Sequence, residues 1–184
     1  MYLDRRDLRK TADAEQAQGI AEQRIPELAI IPYLNQYPHV GNEDSDVKMI
    51  AFIDYECPYS MKFLKSQLLN LKRDYIDKGT LQVFFYDLPL KQHQKARRIA
   101  QLAHKAFTEE EFLNFIELIS TSPIEQFEKL DHQDSLIVSQ RIDYSQQIAG
   151  IAGIEVTPAF VINHRVLKGL RDYEELSSLI NYSQ

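Results

Sequence analysis

The chain has 184 residues, 44% hydrophobic and 26% charged, with 6 Gly and 7 Pro, a composition that builds one globular domain with its own buried core. With 27 acidic against 21 basic residues the net charge is −6, which excludes the broad positive field that gathers nucleic acid or anionic lipid. Its longest apolar run, Met49 to Ile53, falls far short of the roughly 18 residues of a membrane-spanning helix, and its one cysteine, Cys57, can close no internal disulfide.

Residues 3 to 25 are rich in Ala, Gln, Glu and Arg, with sparse apolar positions at Leu3, Leu8, Ala12 and Ile20, the pattern of a weakly amphipathic helix. Residues 1–27 therefore read as an N-terminal helical extension and 28–184 as the domain proper. The first residues lack the apolar stretch and small-residue cleavage site of a signal peptide, so the protein is either intracellular or begins after a removed leader. Pro26, Pro32 and Pro38 then punctuate an irregular lead-in.

Val47 to Tyr55, apolar on both faces apart from Lys48 and Asp54, predicts a central strand covered by helices. Pro58 suits a first helical turn, and Phe63, Leu64, Leu68, Leu71, Tyr75 and Ile76 recur at helical spacing, so a helix over about 58–77 follows, ended by Gly79. Thr80 to Asp87, β-branched and aromatic, is a second strand that the βαβ connection makes parallel to the first. Residues 91–149 read as several helices broken at Thr121-Ser122-Pro123. Two short strands, Ala159 to Ile162 and Arg165 to Lys168, form a hairpin across Asn163-His164, and a last helix covers Asp172 to Ile180.

Chemistry concentrates where the first strand meets its helix, in Asp54-Tyr55-Glu56-Cys57-Pro58-Tyr59-Ser60. Amides at a helix start, and the positive end of its dipole, favour a thiolate over a thiol and so make sulfur a nucleophile. The bland alternative, a small buried hydrophobe, describes most lone cysteines, but the junction and Pro58 favour reactivity here. Thr157-Pro158, far downstream, would by itself be an ordinary trans loop proline.

Three segments together resemble the DsbA-like branch of the thioredoxin superfamily. FIDYECPYS matches an aromatic strand running into D-Y-x-C-P-Y-C, DLPLKQHQKA matches P-L-x-x-H-x-x-A, and GIAGIEVTPAFVINHRVLKGL matches G-V-x-G-T-P-x-F-x-I-N-G. The resemblance covers residues 47 to 182 and implies an α/β thioredoxin fold, βαβ then ββα, with a helical insert at about 91–149 between the halves. It implies that Cys57 is the attacking thiol, that Pro58 and Tyr59 tune it, and that Pro158 is a cis-proline facing it, with Thr157 and Val156 offering backbone to an extended substrate. It further implies a thiol-disulfide oxidoreductase acting on cysteine-containing proteins, recycled by a redox partner protein or glutathione, exported to the periplasm, with no organic cofactor or metal. Some relatives also self-associate through an N-terminal helix, a role open to residues 1–27.

Ser60 departs from this pattern, because the family places its resolving cysteine there. A hydroxyl can hydrogen-bond the Cys57 thiolate but cannot close a disulfide. Two origins fit: a Cys→Ser replacement that traps mixed disulfides, or a native single-thiol form. A redox-inactive peptide-binding or chaperone module is the competing reading. Val156 stands where many relatives have Gly, and His164 where the hairpin usually has Gly; a His there at positive φ costs on the order of 1 kcal/mol, so a turn that is looser or of another type is expected. Asp54, on an apolar strand, could accept the thiol proton, or serve as a strand-end cap, whereas Glu56 is expected to face solvent. His93 and His104 could share a helix face about 16 Å apart, too far to ligate one metal. Lys91, Lys95, Arg97, Arg98 and Lys105 read as a solvated helix face, and the Asn181-Tyr182-Ser183 sequon as chance.

Overall fold

Two neighbouring strands with apolar side chains on both faces require cover on both sides, and the architecture follows from that. The computed structural model describes residues 36–106, 108–122 and 136–182, so the expected 1–27 extension lies outside the described residues. The strands are β1 (His39–Val40), β2 (Val47–Ile53), β3 (Leu81–Asp87), β4 (Ala159–Ile162) and β5 (Arg165–Lys168). They form one mixed sheet in the order β1-β3-β2-β4-β5, in which β2 and β3 are parallel and the other neighbours antiparallel. This is the thioredoxin fold.

The helix after β2, called α1 (58–76), begins as α-helix at Pro58–Lys62 and continues through π-helical turns at Phe63–Gln67 and Lys72–Ile76, with Leu68–Leu71 between them. The helical insert consists of α2 (Ala96–Ala103), α3 (Glu109–Thr121) and α4 (Leu136–Ile151), and α5 (Tyr173–Asn181) closes the chain. Helix α3 starts on a capping box between Thr108 and Glu111, and α5 on the Asp172 carboxylate, which accepts the Glu175 N–H.

Period-two alternation divides the core. Val47, Met49, Ala51 and Ile53 of β2 join Leu81, Val83 and Phe85 of β3 under α1, α3 and α5. Ile50 and Phe52, with Phe84 and Tyr86, face the opposite way toward Ile148 and Ala149 of α4. Phe63 of α1 meets Phe160 of β4 edge-on with ring centres 4.8 Å apart, tying the two halves of the fold together.

Two expectations need correction. The lead-in is not wholly irregular: His39–Val40 pairs with Phe84 and Val83, a two-residue strand too short for alternation to reveal. The hairpin turn is not loose. Ile162 pairs with Arg165, leaving only Asn163 and His164 as its loop, with φ of 50° and 66°. Both residues are left-handed, as the right-handed twist of the flanking strands requires of a two-residue turn. His164→Gly should therefore stabilise the protein by about 1 kcal/mol in chemical denaturation, by removing the steric cost of a Cβ at positive φ.

Candidate active site

The register of β2 against β4, with Phe52 opposite Ala159, sets the chain leaving β2 and the chain entering β4 at the same end of the sheet. Cys57 and Thr157 meet there. Beyond Ile53 the backbone turns, with the Cys57 N–H donating to the Asp54 carbonyl at 3.0 Å, and Cys57 takes the extended N-cap conformation (φ −74°, ψ 119°) ahead of Pro58. Its carbonyl accepts the Met61 N–H at 3.0 Å, the first helical hydrogen bond, while its side chain makes no cap bond. The thiol is thus free to point at the other half of the fold, where Sγ donates to the Thr157 carbonyl at 3.2 Å. The Thr157-Pro158 peptide is cis. Cys57 is buried, at 5% exposure, yet Tyr59 (63%), two residues after it, and Val156 (46%), one residue before Thr157, are exposed.

Ser60, on the first turn of α1, is fully buried, and its Oγ accepts the Asp54 N–H at 3.4 Å. Asp54 is buried too, and its carboxylate gathers three donors. Oδ1 accepts the Glu56 N–H at 2.8 Å, and Oδ2 accepts the Leu90 N–H and His93 Nδ1, each at 2.8 Å. The turn carrying Cys57 is therefore anchored to the segment that leaves β3. Glu56 does not face solvent as expected: its Oε2 accepts the Lys95 N–H at 2.6 Å, placing a carboxylate at the start of α2, where it offsets the dipole.

The histidines are corrected as well. His93 precedes α2 rather than lying on it, so no shared helix face exists. His104 Nε2 donates to Asp87 Oδ2 at 2.6 Å, both side chains almost wholly buried. Each imidazole thus serves a strand-end carboxylate. The basic stretch is not simply solvated either, since Arg97 pairs with Asp143 of α4 at 2.8 Å. Tyr55 is buried, and that burial, with the Asp87 carboxylate as a second cause, holds its phenol well above the ordinary tyrosine range. The link from Asp54 to His93 was missed by spacing; the only trace of it is the His of the P-L-x-x-H match.

Residues 34–182 match the family described as thioredoxin. The chain belongs to the thioredoxin family. Within it the chain is a DsbA-like thiol-disulfide oxidoreductase. It is 24% identical over 174 residues to disulfide bond formation protein D of Bacillus subtilis (strain 168), covering 81% of this chain and 78% of that one. Among solved structures, oxidised BdbD from Bacillus subtilis superposes with a TM-score of 0.68 at 20% identity, over 82% of this chain and 94% of that one. A thioredoxin-like oxidoreductase from Silicibacter pomeroyi superposes with a TM-score of 0.71 at 18% identity, over 86% and 97%. Among the described residues of this thioredoxin-family chain, no helix is long and apolar enough to cross a membrane, and no three His, Cys, Asp or Glu side chains group as metal ligands.

Proposed function

We propose that this protein exchanges disulfides in cysteine-containing proteins through a mixed disulfide on Cys57. The observation that carries the reading is the Cys57 sulfur at a helix start, 3.2 Å from the Thr157 carbonyl that precedes a cis-proline. The Cys57 thiolate attacks one sulfur of a substrate disulfide, forms a new S–S bond, and expels the other substrate sulfur as a thiolate. With Ser60 in place of a resolving cysteine, a second thiol, from the substrate or from glutathione, attacks that bond and restores the Cys57 thiolate. Electrons balance: one disulfide is broken and one formed, so shuffling needs no outside oxidant, whereas net oxidation consumes oxidised glutathione or a partner's disulfide.

In this reading Tyr59 and Val156 flank an extended substrate segment whose backbone lies along Thr157. Pro58 presets the first turn behind the sulfur, and Asp54 holds the turn ahead of it, its own N–H donating to Ser60 Oγ. The names borne by the Bacillus relatives, together with a redox chemistry suited to oxidising surroundings, support an exported protein.

Cys57→Ala separates this reading from that of a redox-inactive binding module. Exchange of a scrambled test protein in a glutathione buffer should fall to the uncatalysed rate in the variant, while suppression of aggregation of a cysteine-free substrate stays as it was. Exchange that survives Cys57→Ala would contradict the proposal and favour the binding module.

A further inference from the structure

Cys57 and Thr157, whose sulfur and carbonyl oxygen meet at 3.2 Å, have chain neighbours of two kinds. Asp54, Tyr55, Ser60 and Thr157 itself are buried, as is Pro158. The exposed neighbours are Pro58 and Tyr59 after the cysteine and Val156 directly before Thr157, and all three are apolar. Glu56 is half-buried, with its Oε2 committed to the Lys95 N–H at 2.6 Å. The nearest fully exposed charges along the two segments, Glu155 and Lys62, stand two residues before Thr157 and five after Cys57.

Single exposed apolar side chains are ordinary on a protein surface, and it is position that sets Val156 apart. Consecutive Cα atoms are about 3.8 Å apart, so its side chain springs from the residue next to the one whose carbonyl touches the sulfur. An extended peptide advances about 3.3 Å per residue. A segment joined through its cysteine to Cys57 and lying along Thr157 therefore brings the residues beside that cysteine within reach of Val156. In the motif that this segment matches, the position is Gly, which offers backbone alone. The branched side chain is this chain's own addition, and β-branched side chains pair well across strands with aliphatic and aromatic ones.

We propose that Val156 is a specificity-determining residue that favours substrates carrying an aliphatic or aromatic residue directly beside the exchanging cysteine. The inference rests on Cys57 being the exchanging thiol. Its physical basis is hydrophobic: apolar area that Val156 and such a residue each expose alone leaves water when the two meet, whereas a polar residue there loses water and gains no partner. Cross-strand pairs of this kind are worth up to about fivefold.

The test mixes the whole reduced chain with peptides Gly-X-Cys-X-Gly in which X is Ile or Ser and the cysteine is joined to thionitrobenzoate. The Cys57 thiolate bonds to the peptide sulfur, the bond to thionitrobenzoate breaks, and the coloured thiolate that leaves measures the rate. Each rate is divided by that of 2-mercaptoethanol with the same peptide, which cancels the peptide's intrinsic reactivity. In the parent the Ile peptide should exceed the Ser peptide by about threefold. V156S and V156G should both bring that ratio close to one, and V156I should keep it. A variant that only slows the thiol leaves the ratio where it was. Equal normalised rates for the two peptides in the parent, or a preference that survives in V156S and V156G, would overturn the role of Val156 and leave Cys57 as the exchanging thiol. Failure of both peptides to release thionitrobenzoate would overturn the role of Cys57 itself, and this inference with it.

Discussion

Ser60→Cys should turn this chain into a dithiol enzyme that closes an internal disulfide with Cys57 and both reduces insulin and oxidises a reduced test protein. Residues 57 and 60 are three apart at the start of α1, which by helix geometry puts their Cα atoms about 5–6 Å apart, within the span a disulfide tolerates. Ser60 is fully buried with its Oγ turned to the Asp54 amide, and sulfur replaces that oxygen at nearly the same volume. The internal thiol then competes with any external one at the effective concentration of a neighbouring group, of order mM or more. Mixed disulfides should accordingly become short-lived, and turnover should rise by at least about tenfold over the parent in the same glutathione buffer. If the variant forms the internal disulfide and still turns over no faster, the groove beside Thr157 does not present substrates to Cys57.

Asp54→Ala should be the most damaging single change near the site that leaves the nucleophile itself intact. It strips the acceptor from the Glu56 and Leu90 amides and from His93 at once, in a place where the carboxylate is almost fully buried. Unsatisfied buried donors cost about 1–3 kcal/mol each, partly recovered where His93 reaches water, so a loss of about 3 kcal/mol in chemical denaturation is expected. Asp54→Asn keeps one acceptor oxygen and should retain the fold at a smaller cost. It also separates two roles for this residue. Both carboxylate oxygens are already engaged, which makes Asp54 an anchor for the turn, so the exchange rate of Asp54→Asn should stay within about tenfold of the parent, whereas loss of a proton acceptor would cost about 10²–10⁴-fold.

Composition and helical spacing made most of the fold legible. Strand β2 was readable because it is apolar on both faces, β3 because it is β-branched and aromatic, the hairpin because two short strand patterns lie either side of Asn163-His164, and the closing helix from its charged first turn and inward Leu176, Leu179 and Ile180. What escaped was tertiary in origin. Strand β1 is two residues long and exists because Phe84 and Val83 offer an edge, and the π-helical turns of α1 leave the apolar pattern intact. At the site, Cys57 and Pro158 were legible through short motifs, one at a helix start and one before a strand. The partners of the acidic residues were not, because His93 and Lys95 approach Asp54 and Glu56 through the loop after β3, across a chain separation that no local pattern encodes. The His164 turn shows the converse: strand pairing imposed left-handed backbone on a residue that local preference disfavours.

The most direct test of Cys57 as the exchanging thiol is intact-protein mass spectrometry after mixing the reduced chain with a peptide that carries a single mixed disulfide. The protein should gain the mass of one half of that disulfide, fragmentation should place it on Cys57, and because Ser60 cannot resolve it, the adduct should persist until a free thiol is added. A chain that stays unmodified while a simple thiol of equal concentration exchanges with the same peptide would contradict the account.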